Sequence, residues 1–274
     1  MVVSDNIGLN YDEPIEIAPG IYWIGFLDME HDLNCNPYLI VEEKEAIVVD
    51  GGSRTDFSTV MIKILQTGVN PSKIVKLLYH HYDPDLCGSI PDFEKIIKNK
   101  DLSIISHQEN NYFIRYYGGS LERECVEKDL NLEWEFSTGR KLKFILTPYA
   151  HAPGNFFTFD KKTGTLFTSD IFGSYYRTED WELFLELDQT CQECEYSKNC
   201  PEEIDKCPIL EIINFHKDLM PNKKALKYAL KQIEDQPIKK IAPQHGSVIS
   251  NSSSIEFIIK KLKSINKVGI DKYL

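Results

Sequence analysis

Apolar residues in the first fifty positions fall in short β-rich runs, after which strand-like runs alternate with segments of helical spacing. Ile21-Tyr-Trp-Ile-Gly25, Tyr38-Leu-Ile-Val41 and Ala46-Ile-Val-Val-Asp50 are separated by turn residues, which predicts an antiparallel meander. From Phe57 to Leu65 apolar positions recur with a helical period, and Ile74-Val-Lys-Leu-Leu-Tyr79 then reads as a buried strand. A second β-α-β round follows: a helix near Phe93 to Ile97, a strand at Leu102 to Ile105, and a helical stretch containing Tyr112 to Tyr117, ended by Gly118-Gly119. Leu142 to Thr147, Phe156 to Asp160 and Thr165 to Thr168 are further strands, the last two joined by a hairpin turn at Lys161-Lys-Thr-Gly164. A helical pair from Ile209 to Ile233, a strand from Ile238 to Ala242 and a last helix beginning near Ser252, capped by Asn or Ser, complete the pattern.

Two sheet regions with peripheral helices predict an α/β (α+β) chain layered as an αββα sandwich rather than a doubly wound parallel sheet. At 274 residues with 42% apolar content, the chain can bury a sizeable core, and we expect one domain over 1–274. The pattern degrades for some three dozen residues after Asp170. Its cysteine-rich part, at about 186–208, reads as an insertion, and a stretch this long without regular structure is where function is expected. A net charge of −11 repels phosphate backbones and anionic headgroups, which argues against nucleic acid and membrane partners. No apolar run reaches membrane-spanning length, and Met1-Val-Val-Ser-Asp5 lacks a secretory pattern. With seven cysteines, an odd number, the chain is expected to be cytoplasmic, its thiols reduced or metal-bound.

Four segments place metal-ligand side chains just past a strand: His81-Tyr-Asp83-Pro-Asp85, Tyr149-Ala-His151, Thr168-Ser-Asp170 and Pro243-Gln-His245. A lone histidine at such a place is more often packed or solvent-facing. Three imidazoles and three carboxylates at four strand ends instead describe a site for two divalent ions with one carboxylate shared. Active residues of α/β folds gather at the carboxyl ends of strands, and all four segments obey that rule.

This constellation resembles the metallo-β-lactamase fold, whose first motif is H-x-H-x-D-H. It is more similar to the flavodiiron proteins, with H-x-E-x-D-H, and to related oxygen-binding di-iron proteins. The likeness runs from about Ile15 to about Phe257 and is carried by Ala18-Pro-Gly-Ile-Tyr-Trp-Ile-Gly25, Asn36-Pro-Tyr-Leu-Ile40, Thr168-Ser-Asp-Ile-Phe-Gly-Ser174 and Ala242-Pro-Gln-His-Gly246. The resemblance implies that His81, Asp83 and His151 hold one iron, Asp85 and His245 the other, and that Asp170 bridges them. Two departures stand out: Asp83 replaces a longer Glu, and Leu86 stands where a final His would follow. The second ion is therefore short of one protein ligand, a position open to water, O2 or NO, or to His80 or His31. A carboxylate at position 83, where hydrolases of this fold use imidazole, makes the site harder and favours iron over zinc.

Cys191-x2-Cys194-x5-Cys200-x6-Cys207 gathers four thiols in the irregular stretch. The spacing resembles runs that hold 4Fe-4S clusters, and a zinc or single-iron site or unligated thiols remain alternatives. Flavodiiron relatives carry an FMN-bearing flavodoxin domain; no FMN is expected in this chain, so another electron source is needed, and a cluster here, acting across a homodimer interface, would provide it. Cys87, Cys35 and Cys125 read as small buried packing residues, Tyr82 and Tyr149 as the wall of the site, and His107 and His216 as surface or capping residues. The expected function is that of a non-haem di-iron protein that binds and reduces O2, or NO. Sensing without turnover, reported to a redox or signalling partner, and a dinuclear zinc hydrolase are the alternatives.

Overall fold

Strands β1 (Ile15–Ala18), β2 (Ile21–Trp23), β3 (Tyr38–Glu42) and β4 (Glu45–Val49) form the antiparallel meander, after which β5 (Ile74–Leu78), β6 (Ser103–Ser106) and β7 (Arg123–Cys125) add on in parallel. The computed structural model describes residues 6, 8–27, 33, 35–175, 181–187, 191 and 207–274. Helix α1 (Phe57–Gln66) makes the crossover from β4 to β5, and α2 (Pro84–Cys87) with α3 (Ile90–Ile96) the next one. Helix α4 (Gln108–Ile114) lies between β6 and β7. The second sheet consists of β8 (Glu133–Glu135), β9 (Lys141–Leu146), β10 (Phe156–Asp160), β11 (Thr165–Phe167), β12 (Phe184–Leu185), β13 (Lys240–Ala242) and β14 (Val248–Ile249). Among the described residues each sheet has seven strands, the second ordered β12-β14-β13-β11-β10-β9-β8. Helices α5 (Pro208–Leu219), α6 (Lys223–Lys231) and α7 (Ser252–Ser264) cover its outer face.

Neighbouring residues on the central strands enter different cores. Val49, Leu78, Ile105 and Phe156 pack between the sheets with Trp23, Phe144 and Phe167. Val48, Leu77 and Ile104 meet Val60 and Ile64 of α1 and Phe93 of α3. Phe157, Leu166 and Ile241 meet Ile212, Leu226 and Ile258 of the last three helices. Burial on both faces explains why these strands read as unbroken apolar runs, and the four layers are the αββα sandwich expected. The last helix starts as foreseen, with Asn251 Oδ1 accepting from the N–H groups of Ser253 (2.9 Å) and Ser254 (3.2 Å). Strands β1, β7, β8, β12 and β14 were not foreseen: none exceeds four residues, too short for a period to show. Among the described residues no helix is long and apolar enough to cross a membrane.

Strand direction decides where the loops open. Strands β9, β11 and β13 run the same way, since β10 is antiparallel to β9 and β11, and β11 is parallel to β13. In the first sheet β4 and β5 end together, and antiparallel β3 begins beside them, with Tyr38 opposite Val49 and Val49 opposite Leu78. At the other end of the strands Arg140 is buried; its Nε and Nη2 donate to Asp160 at 3.0 and 2.9 Å, and its Nη1 to Glu42 at 3.1 Å, so one guanidinium ties the two sheets. Arg140→Met should cost about 3–5 kcal/mol in urea unfolding because Asp160 is left buried without its partner. Adding Asp160→Asn should recover part of that loss.

Candidate metal centre

The site is assembled from the strand ends outward. Beyond β4, Asp50 accepts from the His80 backbone N–H at 3.0 Å and lies 2.6 Å from His80 Nδ1, while His80 Nε2 lies 2.9 Å from Thr158 Oγ1. His80 is thus a fully buried strut between the sheets. The next residue, His81, projects from the end of β5; its Nδ1 is 2.8 Å from Ser169 Oγ, which fixes the ring and leaves Nε2 for a ligand. Pro84 at the first position of α2 turns the chain sharply, so Asp83 and Asp85 point to different neighbours. Asp50, Tyr149, Ser169 and Phe172, each beside this edge, hold φ values of 50°, 63°, 52° and 71°, a left-handed region that non-glycine residues adopt sparingly and mainly at functional sites.

The loop carrying His245 is held by a residue from the opposite sheet. Asn36 donates through Nδ2 to the carbonyls of Pro243 (3.1 Å) and Gly246 (2.7 Å), and its backbone N–H donates to the Gln244 carbonyl (2.7 Å). Trp23 Nε1 donates to Asn36 Oδ1 at 2.8 Å, and Tyr38 Oη donates to the Pro243 carbonyl at 2.7 Å. These bonds leave His245 no freedom to drift from the other ligand segments.

Two groups of donor atoms result, His81 with Asp83 and His151, and Cys35 with Asp85 and His245, each with its atoms within 4.8 Å of one another. In the first, Asp83 Oδ2 lies 3.6 Å from His81 Nε2 and 3.5 Å from His151 Nε2. In the second, Asp85 Oδ2 lies 3.5 Å from His245 Nε2 and accepts from Cys35 Sγ at 3.3 Å and Gln244 Nε2 at 3.1 Å. Asp170 stands between them, Oδ2 2.6 Å from His151 Nε2 and Oδ1 3.7 Å from His245 Nε2. Asp170 is 2% exposed while Asp83 and Asp85 keep about a third of their side-chain surface, so the floor is dry and the mouth is lined by carboxylates.

Charge holds this arrangement together. Burial opposes ionisation of Asp170, yet the imidazoles of His81, His151 and His245 hold its carboxyl well below the usual carboxylate range. Burial likewise opposes charge on His81, but Asp170, Asp83 and Asp85 outweigh it and push the imidazole up to about 9. Burial and the Asp85 carboxylate keep the Cys35 thiol well above its usual range. Asp170 Oδ1 is buried and has no hydrogen-bond partner among the described residues, a cost that a cation would remove. Ligands of one ion lie at most about twice a bond length apart, ~4.5 Å for nitrogen, oxygen and sulfur donors. Both groups fit a metal ion with small adjustments.

All six residues read as ligands from the sequence, His81, Asp83, Asp85, His151, Asp170 and His245, come together here. His80 does not join them, because both ring nitrogens are engaged elsewhere, and His31 lies outside the described residues. Of the four-cysteine run, Cys194 and Cys200 lie outside the described residues, as does most of the 186–208 insertion; Cys191 and Cys207 pack against the outer core of the second sheet. Cys87 and Cys125 are buried as expected, and His107 caps α4. Three expectations need correction. Cys35 is not a packing residue but stands beside Asp85; Tyr149 is 58% exposed rather than a wall. His216 is fully buried, accepting from the Phe172 N–H through Nε2 at 3.0 Å and lying 2.7 Å from the Ile212 carbonyl through Nδ1; its helical period with Ile209, Ile212 and Ile213 was the missed signal. Asn36, Asp50, Ser169 and Gln244 also went unread as supports, since polar residues next to ligands show no period.

A model of the family described as ODP family beta lactamase matches residues 33–246. The chain is 25% identical over 253 residues to a nitric oxide reductase of Moorella thermoacetica, covering 86% of this chain and 57% of that protein. Among solved structures it is similar to the chemotaxis sensor ODP, described as a peroxy diiron species, with a TM-score of 0.69 at 22% identity over 92% of this chain and 93% of that one. The flavodiiron protein of Giardia intestinalis gives a TM-score of 0.74 at 20% identity over 93% and 60%. The chain spans less than two thirds of the length of the curated relatives it matches first.

Burial pushes His216 down to about 4 from its ordinary 6.5. The unfolded chain therefore binds a proton that the folded one refuses between those values, and stability present above pH 6.5 falls as pH drops towards 4, by up to about 3 kcal/mol. His216→Gln, which keeps an acceptor for Phe172, should show a shallower loss of stability from pH 7 to pH 5 in denaturant titrations than the parent.

Proposed function

The chain belongs to the ODP family of beta lactamase proteins, and from that membership we propose that it is a non-haem di-iron protein that binds O2, with NO as a second ligand. The supporting observation is Asp170, a dry carboxylate with one oxygen towards each donor group and one of them unsatisfied. On this reading His81, Asp83 and His151 hold the first iron, Asp85 and His245 the second, and Asp170 both. When bound, the ions supply affinity for the gas and the electrons passed to it. The protein residues do the rest. Asp83 and Asp85, at the mouth, admit a small ligand; His81, His245 and Asp170 form a floor closed to water; Ser169 and Asn36 keep two of the imidazoles aimed. Carboxylate at position 83 in place of imidazole favours iron at the first position.

The cysteine run Cys191, Cys194, Cys200 and Cys207 is proposed as the electron entry, holding a 4Fe-4S cluster with zinc as the alternative, and a redox protein as donor. Sensing without turnover is the second reading, supported by likeness to a chemotaxis sensor over almost the whole of that chain. Elemental analysis of protein purified without air should give about two irons per chain for the paired site alone and about six with an added 4Fe-4S cluster; two zinc ions and no iron would overturn the proposal. In stopped-flow mixing with O2, a long-lived coloured adduct indicates sensing, and repeated consumption with reductant indicates an oxidoreductase.

A further inference from the structure

We infer that Cys35 is a ligand of the second metal ion, bound as thiolate beside Asp85 and His245; this rests on the two-ion reading above. The Cys35 sulfur, an Asp85 oxygen and a His245 nitrogen lie within 4.8 Å of one another, with Sγ 3.3 Å from Asp85 Oδ2. Its position does not depend on a loose loop. The adjacent Asn36 is bonded through both backbone and side chain to Gln244 and Gly246, the residues on either side of His245, so sulfur and imidazole are carried on two segments tied directly to each other.

Ligand number points the same way. Leu86, at the place of the missing imidazole, is fully buried in the core under α1 and α3 and brings no donor. With Cys35 each ion receives three side chains of its own, and both share Asp170: His81, Asp83 and His151 on one side, Cys35, Asp85 and His245 on the other. Charge balances too. Three aspartates and one thiolate carry four negative charges, matching two divalent cations, whereas the aspartates alone leave the buried centre with excess positive charge. Binding breaks the Cys35 S–H bond, forms a metal–sulfur bond and releases the proton to solvent with no electron transferred. Cys35 escaped sequence reading because it enters the edge in front of a strand, while the other ligands follow one.

Cobalt(II) replaces the native ions as the probe. Metal-free full chain, wild type and Cys35→Ser, is titrated without air, and thiolate-to-cobalt charge-transfer absorption in the near ultraviolet is read as a difference spectrum, in which thiolates of the four-cysteine run cancel. The expected result is a band of one thiolate per chain lost in Cys35→Ser, with affinity for the second cobalt weaker by at least about 10-fold. Cys35→Asp should restore affinity without restoring the band, a result misfolding cannot produce. Identical spectra for wild type and Cys35→Ser with both ions bound overturn the inference and leave the two-ion reading standing. Cobalt binding unaffected by Asp170→Ala means that no ion uses the centre, and both then fall.

Discussion

A carboxylate sealed from water must be neutralised where it stands, and the rest of the centre is organised around that requirement at Asp170. Its charge persists in the dry floor because imidazoles from three other segments face it. The imidazoles of His81 and His151 are in turn held near carboxylates that raise their affinity for protons. In the metal-free chain a proton on His81 therefore takes part of the role that the ligand set assigns to cations. The arrangement is tolerable without metal but not fully satisfied, since one Asp170 oxygen still lacks a donor among the described residues. A pair of cations would satisfy the same carboxylate while leaving the imidazoles neutral and free to coordinate.

Holding six such groups within a few ångströms requires a scaffold that does not relax away from the mutual strain. The sandwich provides it by placing every ligand within a few residues of a central strand, buried on both faces, rather than on long loops. Sites built on strand ends inherit the rigidity of the sheet. The two sheets are locked twice: Arg140 binds Glu42 and Asp160 at one end of the strands, and Asn36 binds the His245 loop at the other. His80 adds a third strut through the core, from Asp50 of the first sheet to Thr158 of the second. A histidine that looks like a spare ligand in the sequence thus serves to aim its neighbour.

Much of this was legible because it is periodic or terminal. Central strands announce themselves as apolar runs, α1 by its helical spacing, and the ligands His81, His151, Asp170 and His245 by their place just after such runs. What stayed hidden lacks a local signature. Strands of two to four residues have no room for a period, and the supports Asp50, Asn36, Ser169 and Gln244 act across separations visible only in the fold. His216 is the exception: its period with Ile209, Ile212 and Ile213 marks it as inward-facing, and only its polar partner, the Phe172 N–H from a distant turn, is invisible in the sequence. Cys35 was misread by a rule that is correct for parallel strands and incomplete for a mixed sheet: antiparallel β3 starts where β4 and β5 stop, so the residues before it reach the same edge.

That geometry also changes the chemistry inferred from ligand types. Asp83 hardens the first position, which sees two imidazoles and a carboxylate, a set that would favour iron there. The second position has a sulfur beside it, a softer and more electron-rich donor than the imidazole absent at Leu86. Under the proposed function, its preferences for metal and for gas would differ from those of the first. With ions bound, one hard half and one soft half would distinguish them while Asp170 would couple them, and the asymmetry would arise from a single residue delivered from the opposite direction of the chain.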